Sequence, residues 1–338
     1  MRILVAILVV VVMLIQQAAA LEESCKQCHE SVAVNYTKSL HYTAKGIDTS
    51  FKQASGKVFG INTPKQCLAC HVENCSQCHK VHKQMPNMTD CVNCHFQSTG
   101  VNYIGYLAKM MKKARHPDIH YKKGLECLDC HSLEEIHGNG NAYTFAGEAV
   151  KVRCEACHFY SVEVRGLEAK LYDPTILAHK LHRDISCFAC HADYYQTCSY
   201  CHLDTGEFGK MSTDKLYILR YRGLLYPANV MLTSYHNKTS KSAGVVMPHT
   251  ITPKARDCGD CHDNEKEVFL VGFDGKLVGP PGVELADPPS KLVVDLSNFG
   301  ISFKLDITKL GTLIILGVIG GIFVHLIKRR ITLGRWVG

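Results

Sequence analysis

The chain of 338 residues has no stray cysteine: all 18 fall in one repeated pattern. A disulfide framework has no need of a fixed two-residue spacing, so this regularity argues against one. Charge is absent from a strongly apolar run near each end of the sequence, Ile3 to Ile15 and Leu310 to Ile327.

The repeated pattern is Cys-x-x-Cys-His. Its cysteines are Cys25 and Cys28, Cys67 and Cys70, Cys75 and Cys78, Cys91 and Cys94, Cys127 and Cys130, Cys154 and Cys157, Cys187 and Cys190, Cys198 and Cys201, and Cys258 and Cys261. The histidines that follow are His29, His71, His79, His95, His131, His158, His191, His202 and His262. Paired cysteines also build zinc ribbons, but zinc requires no histidine after every pair. The pattern reads instead as covalent attachment of c-type haem. Two thiols form thioethers with the haem, and the adjacent histidine becomes the proximal iron ligand. The cofactor expectation is nine covalently bound c-type haems.

The spare histidines can be counted against the motifs. His325 lies in the C-terminal apolar run. Nine others lie outside the motifs: His41, His82, His116, His120, His137, His179, His182, His236 and His249. One candidate distal ligand per iron suggests closure by two imidazoles, which suits low-potential electron transfer. Sequence alone does not pair each one with its motif. Short tethers add geometry: Val72, Glu73 and Asn74 separate His71 from Cys75, and a short stretch separates His191 from Cys198. Both are expected to hold two haems in near contact.

Residues 1–20 read as a secretory signal: Arg2, an apolar run from Ile3 to Ile15, then Ala18, Ala19 and Ala20. Residues 307–327 read as a transmembrane helix, because Leu310 to Ile327 carries no acidic or basic residue. Lys328, Arg329 and Arg330 then place residues 328–338 in the cytoplasm by the positive-inside rule. The expected protein is exported and anchored in the cytoplasmic membrane, with its haem domain outside. Gly317 and Gly321 would favour close helix packing. His325 reads either as an interfacial histidine or as a contact to a quinone or partner haem.

Residues 21–262 are expected to be the haem domain. At about 26 residues per haem, the porphyrins must supply much of the core. The fold class expected is mainly α with long irregular loops, on a core of haems, with a small β element and one C-terminal transmembrane helix. A helix is expected around Ile104, Leu107, Ala108 and Met111. Another starts near Asp173 and Pro174 and carries His179 and His182 on one face. Residues 263–306 read as a β-rich stalk, with a hairpin at Asp274-Gly275 and strands in KLVVDL and ISFKLDI. The chain without haem is not expected to fold.

The formal net charge is +7. Arg2, Lys328, Arg329, Arg330 and Arg335 lie in the signal and tail, and haem propionates would turn the rest neutral to acidic. A nucleic-acid partner is therefore disfavoured.

With these motifs, residues 25–262 resemble the multihaem c-type cytochromes of respiring bacteria and archaea, a group that includes octahaem and hydroxylamine-oxidoreductase-like proteins. PHTITPKARDCGDCH, from Pro248 to His262, looks like segments in which a distal histidine precedes an attachment motif. His182 before Cys187 and His120 before Cys127 look similar. No motif has the Cys-x-x-Cys-Lys form of pentahaem nitrite reductases. The anchor is C-terminal, whereas the quinol-oxidising tetrahaem family carries an N-terminal one. The first functional expectation is an electron carrier between a quinol-linked or cytochrome b-type membrane subunit and exported redox proteins or terminal acceptors. The alternative is a reductase of nitrite, hydroxylamine or a sulfur oxyanion with one open iron; no further catalytic motif accompanies it. Haem storage is the third.

Overall fold

The computed structural model describes residues 25–68, 72–82, 84–95, 99–105, 117–195, 197–198, 200–208, 211–212, 215–288, 293–295, 304–306 and scattered positions between 318 and 327. The signal segment, the cytoplasmic tail, Cys70, His71, His116 and Gly317 lie outside the described residues. So does most of residues 307–327. Among the described residues no helix is long and apolar enough to cross a membrane.

The described residues combine short helices with a seven-stranded sheet. Its strands are β1 (Tyr200–His202), β2 (Glu207–Phe208), β3 (Tyr217–Tyr221), β4 (Leu224–Tyr235), β5 (Lys238–Val245), β6 (Lys276–Leu277) and β7 (Val283–Leu285). The long β4 is the axis. One edge pairs antiparallel with β5, from Ala228↔Val245 to Tyr235↔Lys238. The other edge is shared by antiparallel β3 at its start and parallel β1 near its end. Strand β6 extends the sheet parallel to β5, and β7 pairs antiparallel with β3.

The sequence reading placed strands only beyond residue 262. Most of the sheet comes earlier because YILRY and LLYPANVMLTSY are rich in β-branched, aromatic and leucine residues. Their turns carry no Asn-Gly or Asp-Gly signal. Arg222 (φ 51°) with Gly223 (φ 77°) joins β3 to β4, and His236 (φ 44°) with Asn237 (φ 60°) joins β4 to β5. Positive φ at both turn positions matches the right-handed strand twist. Asp274-Gly275, expected as a hairpin turn, instead leads into β6, which runs parallel to its neighbour. Val293–Asp295 and Lys304–Asp306 form an antiparallel ribbon.

The apolar core belongs to the sheet. Leu219, Ala228, Ala243 and Leu270 form one cluster, and Leu216, Ile218, Leu225, Val268, Phe269, Ala189 and Ala286 form another. The ligand-bearing helices are different. Glu30–Tyr36, Leu40–Thr43, Met88–His95, Ile119–Lys122, Leu133–His137 and Leu177–Leu181 bury none of their own residues. Leu177 is 68 % exposed and Leu181 46 %. These helices pack few protein side chains, so protein alone does not explain their positions.

Helix Thr99–Ile104 is present, but the expected continuation through Leu107 and Met111 lies outside the described residues. The helix expected after Asp173 and Pro174 begins at Leu177, and His182 caps its end. Asp173 accepts hydrogen bonds from the Thr175 backbone and hydroxyl at 2.8 and 2.6 Å instead of capping the helix itself.

Candidate haem-attachment and iron-ligand sites

Most of the described motifs fold as one helical turn. The histidine N–H donates to the carbonyl of the first cysteine at 2.9 Å in Cys25–His29, Cys75–His79, Cys127–His131 and Cys154–His158, and at 3.0 Å in Cys258–His262. The motifs ending at His95 and His191 lie inside the helices Met88–His95 and Cys187–His191. A helical turn sets residues three and four apart on one face, so both thiols and the ring address the same side. The Cys198–His202 motif departs from this: Tyr200–His202 is strand β1. The side chain of Cys198 lies outside the described residues. No disulfide joins the described cysteines. The described residues also hold no group of three or more His, Cys, Asp or Glu arranged around a common ion position.

The histidines are brought together in a consistent way. Six motif histidines each face one histidine from outside the motifs. His95 faces His41 with ring centroids 6.1 Å apart, and His79 faces His137 at 5.9 Å. His158 faces His120 and His131 faces His249, both at 6.1 Å. His191 faces His179 at 6.4 Å and His262 faces His182 at 6.3 Å. Among the described residues no such pair joins two motif histidines or two spare ones. An imidazole nitrogen binds a metal at about 2 Å, so two rings on opposite sides of one iron have centroids about 6 Å apart. Rings in edge contact also reach such separations, but six pairs that each join one motif histidine to one spare histidine fit an iron held between them.

The other ring nitrogen of most of these histidines is already engaged. Nδ1 of His41 donates to the Ile136 carbonyl at 3.2 Å, of His158 to Lys170 at 2.7 Å, and of His179 to Asp173 at 2.7 Å. Nδ1 of His182 donates to Ala178 at 3.0 Å, of His191 to Thr252 at 3.3 Å, and of His249 to Met247 at 3.1 Å. Two rings use carboxylates: His120 with Asp118 at 2.8 Å and His131 with Glu135 at 2.9 Å. This is the outer support that orients metal-bound imidazoles, and it leaves Nε2 for the iron. Burial lowers the pKa of His41, His95, His137 and His191, and pulls His249 down to about 4. The neutral ring is the form that ligates.

Arg256 supplies a further sign of fit. Its side chain is 8 % exposed, and its Nε is buried with no hydrogen-bond partner among the described residues. The guanidinium reaches Asp260 at 3.6 Å through NH1 and lies over Tyr194. A buried unsatisfied cationic donor is costly, and a haem propionate is a carboxylate of the kind it lacks. The residues present therefore fit covalently held haem.

The remaining candidates are placed differently. Among the described residues, His29 and His202 face no histidine from outside the motifs. His202 instead meets the Tyr200 hydroxyl. His82 is exposed. His236 occupies the β4–β5 turn, with Nδ1 2.9 Å from Asp204 and its side chain 72 % exposed. His71 and His116 lie outside the described residues. Sequence reasoning missed the orienting groups. Glu135, four residues after His131, was legible as a helical neighbour. Asp118 was legible only as a cap two residues before His120, and the carbonyl acceptors carry no sequence signal.

Residues 119–203 match the family model of cytochrome c3. No curated protein and no solved structure matches the chain. The matched segment carries the motifs from Cys127 to His202 together with His120, His137, His179 and His182. It supports a multihaem c-type cytochrome with covalently bound haem, and a role in electron transfer.

Proposed function

We propose that this chain is a nonahaem c-type cytochrome, exported and anchored by its C-terminal helix. It passes electrons between a quinol-linked or cytochrome b-type membrane subunit and exported redox proteins or terminal acceptors. The observation that carries this reading is the set of six ring pairs, each of one motif and one non-motif histidine. When bound, each haem supplies a one-electron centre. At the six paired sites the two motif thiols would attach it, the two facing histidines would ligate its iron, and the Nδ1 acceptors that most of these rings have would keep them oriented. Two imidazoles leave no position for a substrate, which favours a carrier over an enzyme. The membrane anchor and the quinol link rest on the sequence alone, through the charge-free run and the basic residues after it.

One observation favours the reductase reading as an alternative: His29 and His202 face no such partner among the described residues. An iron held by either one from a single side would be open. Low-temperature EPR of the purified protein, with intact-mass analysis, separates the two readings. The carrier reading expects nine haem adducts, only low-spin ferric signals and no carbon monoxide binding on reduction. A high-spin signal with carbon monoxide binding would overturn it in favour of the reductase. Fewer adducts would overturn the count.

A further inference from the structure

We propose that the six paired sites form one row whose order in space is their order in the chain, from Cys75–His79 through His95, His131, His158 and His191 to Cys258–His262. This rests on the haem reading above and concerns the arrangement of this chain's own attachment and ligand residues.

Each junction is held by its own contact. Lys80, next to His79, forms an ion pair with Asp90, next to Cys91. Helix Met88–His95 packs on the turn Cys127–Asp129. From there Arg165 joins the turn to the next motif. It follows His158, and its Nε donates to Asp129 at 2.8 Å while NH2 reaches Glu126 at 3.2 Å. The distal partner of His158 is His120, seven residues before Cys127, so the two sites share a segment.

The last two junctions are equally specific. The N–H of Tyr172 donates to the His158 carbonyl at 2.7 Å, and its ring stacks 4.5 Å from His179, which faces His191. Finally, Arg256 N–H donates to the Cys190 carbonyl at 2.7 Å just before Cys258. The helix Leu177–Leu181 carries His179, which faces His191, and its C-cap His182 faces His262, so one short segment ties these two sites together.

The row therefore has two termini. One is the Cys75–His79 site. The other, Cys258–His262, is the last motif before the segment that runs toward the C-terminal apolar run. Two further links fold the row on itself: helix Leu133–His137, which follows His131, carries the partner of His79, and Thr252, three residues after His249, accepts from Nδ1 of His191 at 3.3 Å and donates to its carbonyl at 2.8 Å.

A structure of the purified haem-loaded full chain by electron cryomicroscopy reads the order directly. The expected nearest-neighbour sequence of irons is that of His79, His95, His131, His158, His191 and His262. Any other nearest-neighbour order overturns the row while leaving the haem reading intact; missing haem at these motifs overturns the haem reading itself. His249→Ala gives a second readout. It should convert one ferric iron from low to high spin and broaden the EPR signals of the centres closed by His41 and His120, which His41→Ala and His120→Ala identify. Broadening of the His182 centre instead would also overturn the order.

Discussion

Two charged side chains sit beside the ligand set and act in opposite directions. Asp118 is 2 % exposed and accepts three hydrogen bonds at 2.8 Å, from His120 Nδ1, the His120 backbone and the Ile251 backbone. A carboxylate on Nδ1 makes the ligating nitrogen more basic and favours ferric iron. Asp118→Asn keeps the shape and removes the charge, so the His120–His158 centre should rise in potential. Arg256, buried beside Cys190 and Cys261, acts the other way, since a fixed cation favours the reduced state. Arg256→Gln should lower the potential of the His191 and His262 centres. Both shifts are expected in the tens of millivolts, because about 59 mV is a tenfold change for one electron. A spectroelectrochemical titration that finds the two variants moving in the same direction would refute this assignment of roles. The sequence offered the candidate ligands only as a count of nine against nine, and six of those spare histidines meet a motif histidine among the described residues. The carbonyls that aim them were not legible, because any residue type supplies a carbonyl.

At the scale of elements, the motif turns and the sheet obey different rules. A motif turn is specified by cysteine and histidine spacing, and that is visible in sequence. The sheet is specified by β4, whose burial does not alternate cleanly: Leu225, Pro227, Ala228 and Thr233 are buried while Val230 and Met231 are half-buried. Strands shared among three partners lose the simple period of two, which is why the pattern of residues 203–248 gives no strand signal. The ribbon after residue 290 was easier, since short apolar runs flanked by Pro288 and Pro289 carry the usual signals. Leu219 has 0 % exposure at the centre of β3 and packs with Ala228, Ala243 and Leu270. Leu219→Ala removes a fully enclosed side chain and should cost about 2–5 kcal/mol of sheet stability. Denaturant unfolding followed by tyrosine fluorescence checks this, and a loss under about 1 kcal/mol would mean that the site collapses without strain.

Across the whole molecule, these two kinds of element imply two sources of stability. Ordering a residue costs about 1–2 kcal/mol of backbone entropy, which buried apolar area must offset. The sheet has such area in its two clusters. The helices that carry His29, His41, His120, His137 and His179 have no buried residue of their own, and Val32, Val34, Leu133, Leu177 and Leu181 stay exposed beside them. Haem would cover those side chains and repay the ordering cost. The chain without haem should therefore divide in stability instead of unfolding as one unit. Limited trypsin digestion of protein made without haem attachment should cut first at Lys26, Lys45, Lys122 and Lys180. Residues 216–286 should persist longer, although they include Arg220, Lys238 and Lys241 in strands and turns. Haem-loaded protein should resist at both sets of sites. Equal resistance of both regions without haem would show that the helical part has an apolar core of its own. Equally fast digestion of both would show that the sheet also depends on haem, through β1 and its Cys201–His202 segment, which pairs with Thr233 and Ser234 of β4.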